Sequence, residues 1–542
     1  MDRLRQLKWS LFLGSLLALV LLCCFRNDGM HLSECQHRLS ELTDIKAGRQ
    51  QTNLPLIQKI SFNGFDLFAD EENSAFYYSL IEKNRNAFDP LFRVSTNSES
   101  VQVMFSEDKI DENLISQNIP LRLLAYDDES YREYRIYVTT LPLLFVESEI
   151  EFIHGTGKDR DLKLTLFDNR YEARQRIMSF EGLIHIRGVS SSIFPKLAYK
   201  MEFFEKSPGK NKRDANRSLL GMREDNEWIL YAGYDDGERI RNVFSSGLWF
   251  SSCAGANEFG VQNGNEYRFV ELFMNGKYWG LYALGTPLDA KQMKPLRHTE
   301  NVQSVFVFKK SFWSEIYSDL PETTLMRDYE ARGNDTIVHE DLAREILQNY
   351  DSFAGSGVFD KSFDRYTIHA DKQNAVDTWL FVLLVQGMDT VSSNGEFVNM
   401  FLTFIREKTD VRAMYTPWDL DLTWGNFRSS NAQNNTVPYG LDSTNNSYVM
   451  IHNPANALLQ TDPQQIIRRY RELRENGWSD ERIQYLIDTY ERQIFDSGAY
   501  LRDIQKWPDS SSEDPALKLS VFSDYVHRRL LALDQFVDSL GK

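Results

Sequence analysis

The chain has 542 residues, 42% hydrophobic, 26% charged and 13% aromatic, enough for sizeable cores and inconsistent with wholesale disorder. Its 61 Lys and Arg face 78 Asp and Glu, and the formal charge of −17 argues against a general binder of nucleic acid or anionic lipid. Four cysteines, none in a Cys-x-x-Cys or Cys/His pattern, exclude a disulfide scaffold and a zinc module.

Arg3, Arg5 and Lys8 precede an uncharged run from Trp9 to Phe25. A basic flank before an apolar stretch reads as a signal anchor oriented positive-inside, and no small-residue cleavage site follows; a cleaved signal is the alternative. The expectation is a single-pass membrane protein anchored through residues 1–27, with the bulk of the chain extracytoplasmic. Residues 28–54 read as a polar stalk. Residues 55–148 carry short alternating runs, at 100–105, 121–126 and 134–140, separated by acidic turns, as a small β-rich domain does.

Strand-like runs continue at Leu162–Phe167, Gly182–Arg187, Ala198–Phe204, Trp228–Tyr231 and Arg268–Met274. AsnGly at 275–276, between two apolar alternating runs, signals a hairpin. Helical runs fall at Ile240–Ser252, Asp341–Asp351, Asn374–Gly387, Pro463–Glu475 and Ser479–Gln505, the last with Ser479 as N-cap. A β-rich part over 149–290 followed by a helical part over 291–542 fits a two-lobed enzyme.

No Walker loop, HisGluXXHis, GlyXSerXGly or GlyXGlyXXGly is present. The strongest local signal is ProTrpAspLeuAspLeuThrTrpGly at 417–425. Asp419 and Asp421 stand two apart, so on an extended segment both carboxylates point the same way, and a hard divalent cation is the usual means of holding such a pair. A solvated acidic loop is the plainer alternative. ArgGlyValSerSerSerIlePheProLysLeuAlaTyrLys, 187–200, offers a small-residue turn with flanking cations that could hold phosphate oxygens, or equally a serine-rich hairpin with a cationic edge. GluArgIleArgAsnValPhe at 238–244 starts a helix. GlyMetAspThrValSerSerAsn at 387–394 follows an apolar helix, leaving Asp389 open between cap and base.

In this order, these segments together with TrpIleLeuTyrAlaGlyTyr, LeuPheMetAsnGlyLysTyrTrpGlyLeuTyr (272–282) and SerGlyAlaTyrLeuArgAspIleGlnLysTrp (497–507) resemble the CotH kinase family over roughly residues 137–508. The resemblance implies an α+β, divergent two-lobed protein-kinase-like fold, here preceded by the anchor and the small β-domain. It implies ATP with Mg²⁺ or Mn²⁺, and transfer of the γ-phosphate to Ser/Thr of a surface or secreted protein. By position, Asp389 matches the catalytic-loop aspartate and Asn399 the metal-side asparagine, with Asn394 as fallback. Asp419 matches the metal-holding aspartate, with Asp421 a second ligand. Lys196 or Lys200 takes the phosphate-contacting role, and Arg187 and Arg241 neutralise charge. Thr286 stands where the family pattern has Glu, and the 389–399 stretch is longer than that pattern. These departures define the alternative, a catalytically weak or inactive member acting as a binding, adhesion or structural module. A glycosidase with paired acids is a third class, which carboxylate pairs alone do not single out.

Overall fold

The computed structural model describes residues 30–82, 89–149, 159–188, 190–205, 213–310, 324–326, 329–387, 389–391, 396–426 and 452–542. Near the N-terminus two sheets share one core. Ile60, Phe62 and Phe92 from the smaller sheet meet Phe105, Leu123 and Ile136 from the larger.

Seven of the strands that follow close into a barrel. Leu143–Glu147, Arg160–Phe167, Ile177–Arg187, Ala198–Glu205, Glu227–Tyr231, Tyr267–Met274 and Lys277–Gly285 pair around a complete ring, because Ile177–Arg187 bonds to both of its sequence neighbours. Only the Leu143–Glu147 and Tyr267–Met274 pairing is parallel. Period-two alternation fills the interior, with Leu164, Met201, Phe203, Trp228, Leu272 and Tyr282 pointing in. Asn275 and Gly276, at φ 50° and 76°, make the two-residue turn between the last two strands.

Closure depends on Gly182, which faces Phe203 across the closing pair. A Cβ there would sit 2.2 Å from the Glu202 carbonyl oxygen, backbone that cannot yield cheaply. Gly182→Ala is therefore expected to destabilise the protein by about 1–3 kcal/mol, seen as a lower urea midpoint with an unchanged m-value.

A second sheet of seven strands follows. Ser304–Lys310, Met400–Glu407 and Asp410–Pro417 lie at its centre, and Thr367–Ala370 pairs parallel to the last of these. Phe306 and Phe308 face a helical layer, while Val305 and Val307 face the barrel. Within that layer the helix Lys372–Val385 is buried from Asn374 to Val385. Asp371 caps it, accepting from the Asn374 amide at 2.9 Å.

These observations correct the expected architecture. The chain is a mixed α/β fold with a closed β-barrel, and a seven-stranded sheet lies within the part expected to be helical. The run MetPheLeuThrPheIle at 400–405 is buried on both faces, and such a run gives no period by which to tell strand from helix. The expected helix Ser479–Gln505 is two helices, Asp480–Ile494 and Ala499–Lys506. Gly498, at φ 71°, breaks it, and a Cβ there would lie 2.3 Å from the Ile115 carbonyl oxygen. Ser479 does cap the first helix, accepting from the Arg482 amide at 3.2 Å.

The anchored arrangement is corrected as well. Among the described residues no helix is long and apolar enough to cross a membrane, and the run Trp9–Phe25 lies outside the described residues. The longest described helix, Ser520–Ser539, carries Asp524, Arg528, Arg529, Asp534 and Asp538 along its length. The single-pass placement, the membrane as partner, the extracytoplasmic location and the surface or secreted substrate read from it are not carried forward.

Candidate functional site

The outer face of the barrel meets the second sheet through Ile229, Leu288, Val307, Phe401, Ile405 and Met414. Beside this contact the three central strands of the sheet end together. Lys310 lies opposite Met400, and Met400 opposite Pro417. Asn399, at φ 48°, comes just before one strand, and Asp419, at φ 60°, just after the next. The Trp418 amide donates to the Asn399 carbonyl at 3.1 Å, and Asn399 Nδ2 donates to Asp389 Oδ2 at 2.9 Å. The Leu420 amide donates to Asn242 Oδ1 at 3.1 Å, in the first turn of the helix Arg241–Ser252. Three sequence-distant segments thus bring Asp389, Asn399 and Asp419 to one place.

Two cations line the same place. Arg187, at the end of its barrel strand, lays its guanidinium over the Trp418 ring at 5.3 Å. Lys309 lies opposite Phe401, whose ring meets Trp418 edge-on at 5.4 Å. Neither has a carboxylate in ion-pair contact among the described residues; Asp419 acts on both only through its field. Burial pushes the Lys309 ammonium down to about 8 and Arg332 adds repulsion, while Asp419 and Glu330 pull the other way. Burial likewise lowers Arg187. Burial raises the Tyr231 hydroxyl well above its ordinary value, reinforced by Asp421, Asp236 and Asp419. Arg187 and Lys309, without ion-pair partners among the described residues, share this place with the carboxylates of Asp389 and Asp419.

The other candidates lie elsewhere or are engaged. Lys196 is fully buried, 2.7 Å from Asp503 Oδ1, and donates to the Leu281 carbonyl at 2.7 Å. Arg239 Nε reaches the other Asp503 oxygen at 2.9 Å. Burial opposes ionisation of Asp503, but Lys196 and Arg239 outweigh it and hold its carboxyl below the usual range. Burial brings Lys196 down to about 8 against the pull of Asp503. Next to Asp503, Arg502 grips Glu271 of the barrel at 2.6 and 2.8 Å and Asn118 of the N-terminal unit at 2.7 Å. The motif at 497–507 is thus a clamp joining three parts of the chain. Lys200 sits on the barrel's outer face, paired with Glu227 at 2.6 Å. Arg241 is drawn onto Asp236 at 2.5 Å and onto Glu238. Thr286 is buried, its amide donating to the Glu266 carbonyl at 3.2 Å. Asn394 lies outside the described residues.

Metal-dependent transfer is corrected too. Asp419 and Asp421 do not lie on an extended segment: Asp419 is left-handed and residues 420–421 form a turn. Asp421 Oδ1 accepts from the Leu422 amide at 3.1 Å. Among the described residues no group of three His, Cys, Asp or Glu side chains could hold a metal ion. By themselves Asp419 and Asp421 do not supply the octahedral oxygen set that Mg²⁺ demands.

The family model described as CotH kinase protein matches residues 184–533, from the strand that carries Arg187 to the helix Ser520–Ser539. The chain belongs to the CotH kinase family. No curated protein matches it. Membership in the CotH kinase family brings nucleotide binding as a general capability. The match spans every side chain placed at this site, including Lys309, which motif reasoning passed over. The only signal for Lys309 was SerValPheValPheLysLys at 304–310, where alternation sends Lys309 to the barrel side and Lys310 into the helical core.

Proposed function

We propose that this CotH family member binds ATP in the cleft between barrel and sheet, and that its phosphoryl transfer is weak or lost, so that it serves as a nucleotide-dependent binding module. One observation carries the reading: Arg187 and Lys309 stand without ion-pair partners among the described residues at the point where Asp389, Asn399 and Asp419 converge. Phosphate oxygens would supply the missing negative charge, and Trp418 holds the Arg187 guanidinium where it meets them. Asp389, braced by Asn399, keeps the position from which a carboxylate would orient an acceptor hydroxyl.

Two features argue for slow transfer. Thr286 brings no charge where the family pattern has Glu, and the pair Asp419 and Asp421 lacks a third ligand among the described residues. Transition-state charge would then rest on side-chain cations alone. Calorimetry with ATP is expected to show binding that survives chelation of divalent metal within a few fold, with labelled ATP giving no more than background transfer to a generic protein acceptor. Binding that vanishes with chelation, or rapid transfer restored by Mg²⁺ or Mn²⁺, would overturn the reading.

A further inference from the structure

The helix Lys372–Val385 delivers the chain to Asp389, and a distant part of the sequence secures its last carbonyls. Arg529, 1% exposed on the helix Ser520–Ser539, donates Nε to the Leu383 carbonyl at 3.1 Å and to the Leu384 carbonyl at 3.2 Å; Nη2 also reaches Leu383. The next carbonyl, Val385, accepts from the Trp424 amide at 2.7 Å. One turn before Arg529, Tyr525 donates to Gln386 Oε1. Its ring lies so close to Gly425 that a Cβ there would fall 2.6 Å from a ring carbon. Gln386 itself is left-handed at φ 52°. One helix therefore holds both the end of the central helix and the far end of the segment that starts at Asp419.

The C-terminal carbonyls of a helix carry partial negative charge, so a guanidinium buried against them is well placed electrostatically. Its rigid planar fork spans two successive carbonyls from Nε and returns to the first from Nη2. We propose that Arg529 is a positioning residue for the segment 419–425: by fixing the carbonyl row of residues 383–385 it sets where Trp424 docks, and so where Asp419 stands in the cleft. The link from Asp419 to phosphate rests on the nucleotide reading above; the link from Arg529 to Trp424 does not.

Asp534 supplies the control. It lies on the same helix but faces away from the site, accepting from Tyr470 at 2.6 Å and from Arg474 at 3.0 Å. Amide hydrogen exchange and ATP titrations on the full chain would compare wild type, Arg529→Met, Arg529→Lys and Asp534→Asn, well below every thermal midpoint. Arg529→Met should speed exchange in the peptide containing Trp424 and weaken ATP binding about tenfold, with Arg529→Lys between it and wild type. Asp534→Asn should lower the thermal midpoint while leaving both readouts within twofold of wild type. Unchanged exchange at Trp424 in folded Arg529→Met would overturn the proposal, as would an equal change in Asp534→Asn. A wild-type protein that binds no ATP, with Trp424 exchange still dependent on Arg529, overturns the nucleotide reading and sustains the positioning role.

Discussion

Replacing Arg187 by Ala or Lys309 by Met is expected to weaken ATP binding by about 10- to 100-fold each, and replacing both to abolish it. Hydrogen bonds to charged groups are worth about 1.5–3 kcal/mol, and each 1.4 kcal/mol is a factor of ten. The two sites share one ligand, so their effects should not add independently. Lys309→Met carries a second signature, because it removes a cation that the fold holds without an ion-pair partner among the described residues. The unliganded variant should melt at a higher temperature than wild type. The pH dependence has a definite sign. Burial lowers the folded-state Lys309 to about 8, below its unfolded value, so between pH 8 and about 10.5 the unfolded chain binds the proton that the folded chain has lost. Stability therefore rises with pH across that window. Lys196, also near 8, contributes a rise of the same sign, so Lys309→Met should remove part of it and not all. Bound phosphate favours the charged ammonium, so ATP binding near pH 8 should take up a fraction of a proton, at most about half. Calorimetry in buffers of different ionisation enthalpy measures this directly. No loss of affinity in either single variant would remove these side chains from the phosphate site.

Asp503→Ala should give the largest loss of stability, about 3–5 kcal/mol, because it strands buried Lys196 and Arg239 together. The Leu281 amide, which donates to Asp503 at 2.9 Å, loses its partner as well. Asp503→Asn should cost less, since it keeps an acceptor while removing the charge. In both variants the fraction that remains folded should bind ATP as wild type does, because Lys196 serves the clamp. Equilibrium denaturation and ATP titration on the same samples separate the two effects. A folded Asp503→Asn protein with a tenfold loss of affinity would return Lys196 to the phosphates.

Local signals in this chain translated well where the physics is local. AsnGly at 275–276 turns because both residues accept positive φ, and Ser479 caps because its hydroxyl meets the Arg482 amide. Barrel closure was not legible, since it rests on Ile177–Arg187 pairing on both edges, which no alternation pattern encodes. The second sheet was hidden by doubly buried strands that lack a period. At the candidate site, Asp419 stood out in its motif while Asp389 and Asn399 came through the family resemblance, and the three lie together in the structure. Lys309 did not, for its meaning comes from the neighbour across the sheet, Phe401, and from Arg187 on a strand more than a hundred residues earlier. Lys196 misled for the converse reason: a lysine in a motif looks identical whether its partner is a phosphate or a carboxylate 307 residues further along.

That same separation sets an order of events during synthesis. At about 5–20 residues per second, Asp503 leaves the ribosome roughly 15–60 s after Lys196. Once Gly285 has been made the strands of the barrel all exist, but two cations destined for its wall still have no counter-charge, and Arg502 has not yet reached Glu271 or Asn118. The nascent barrel therefore waits on a helix made near the end of translation. Chains stalled or truncated between residues 290 and 498 should accumulate as open, protease-sensitive species and draw on chaperones, whereas chains carried past residue 507 should become resistant within a single step.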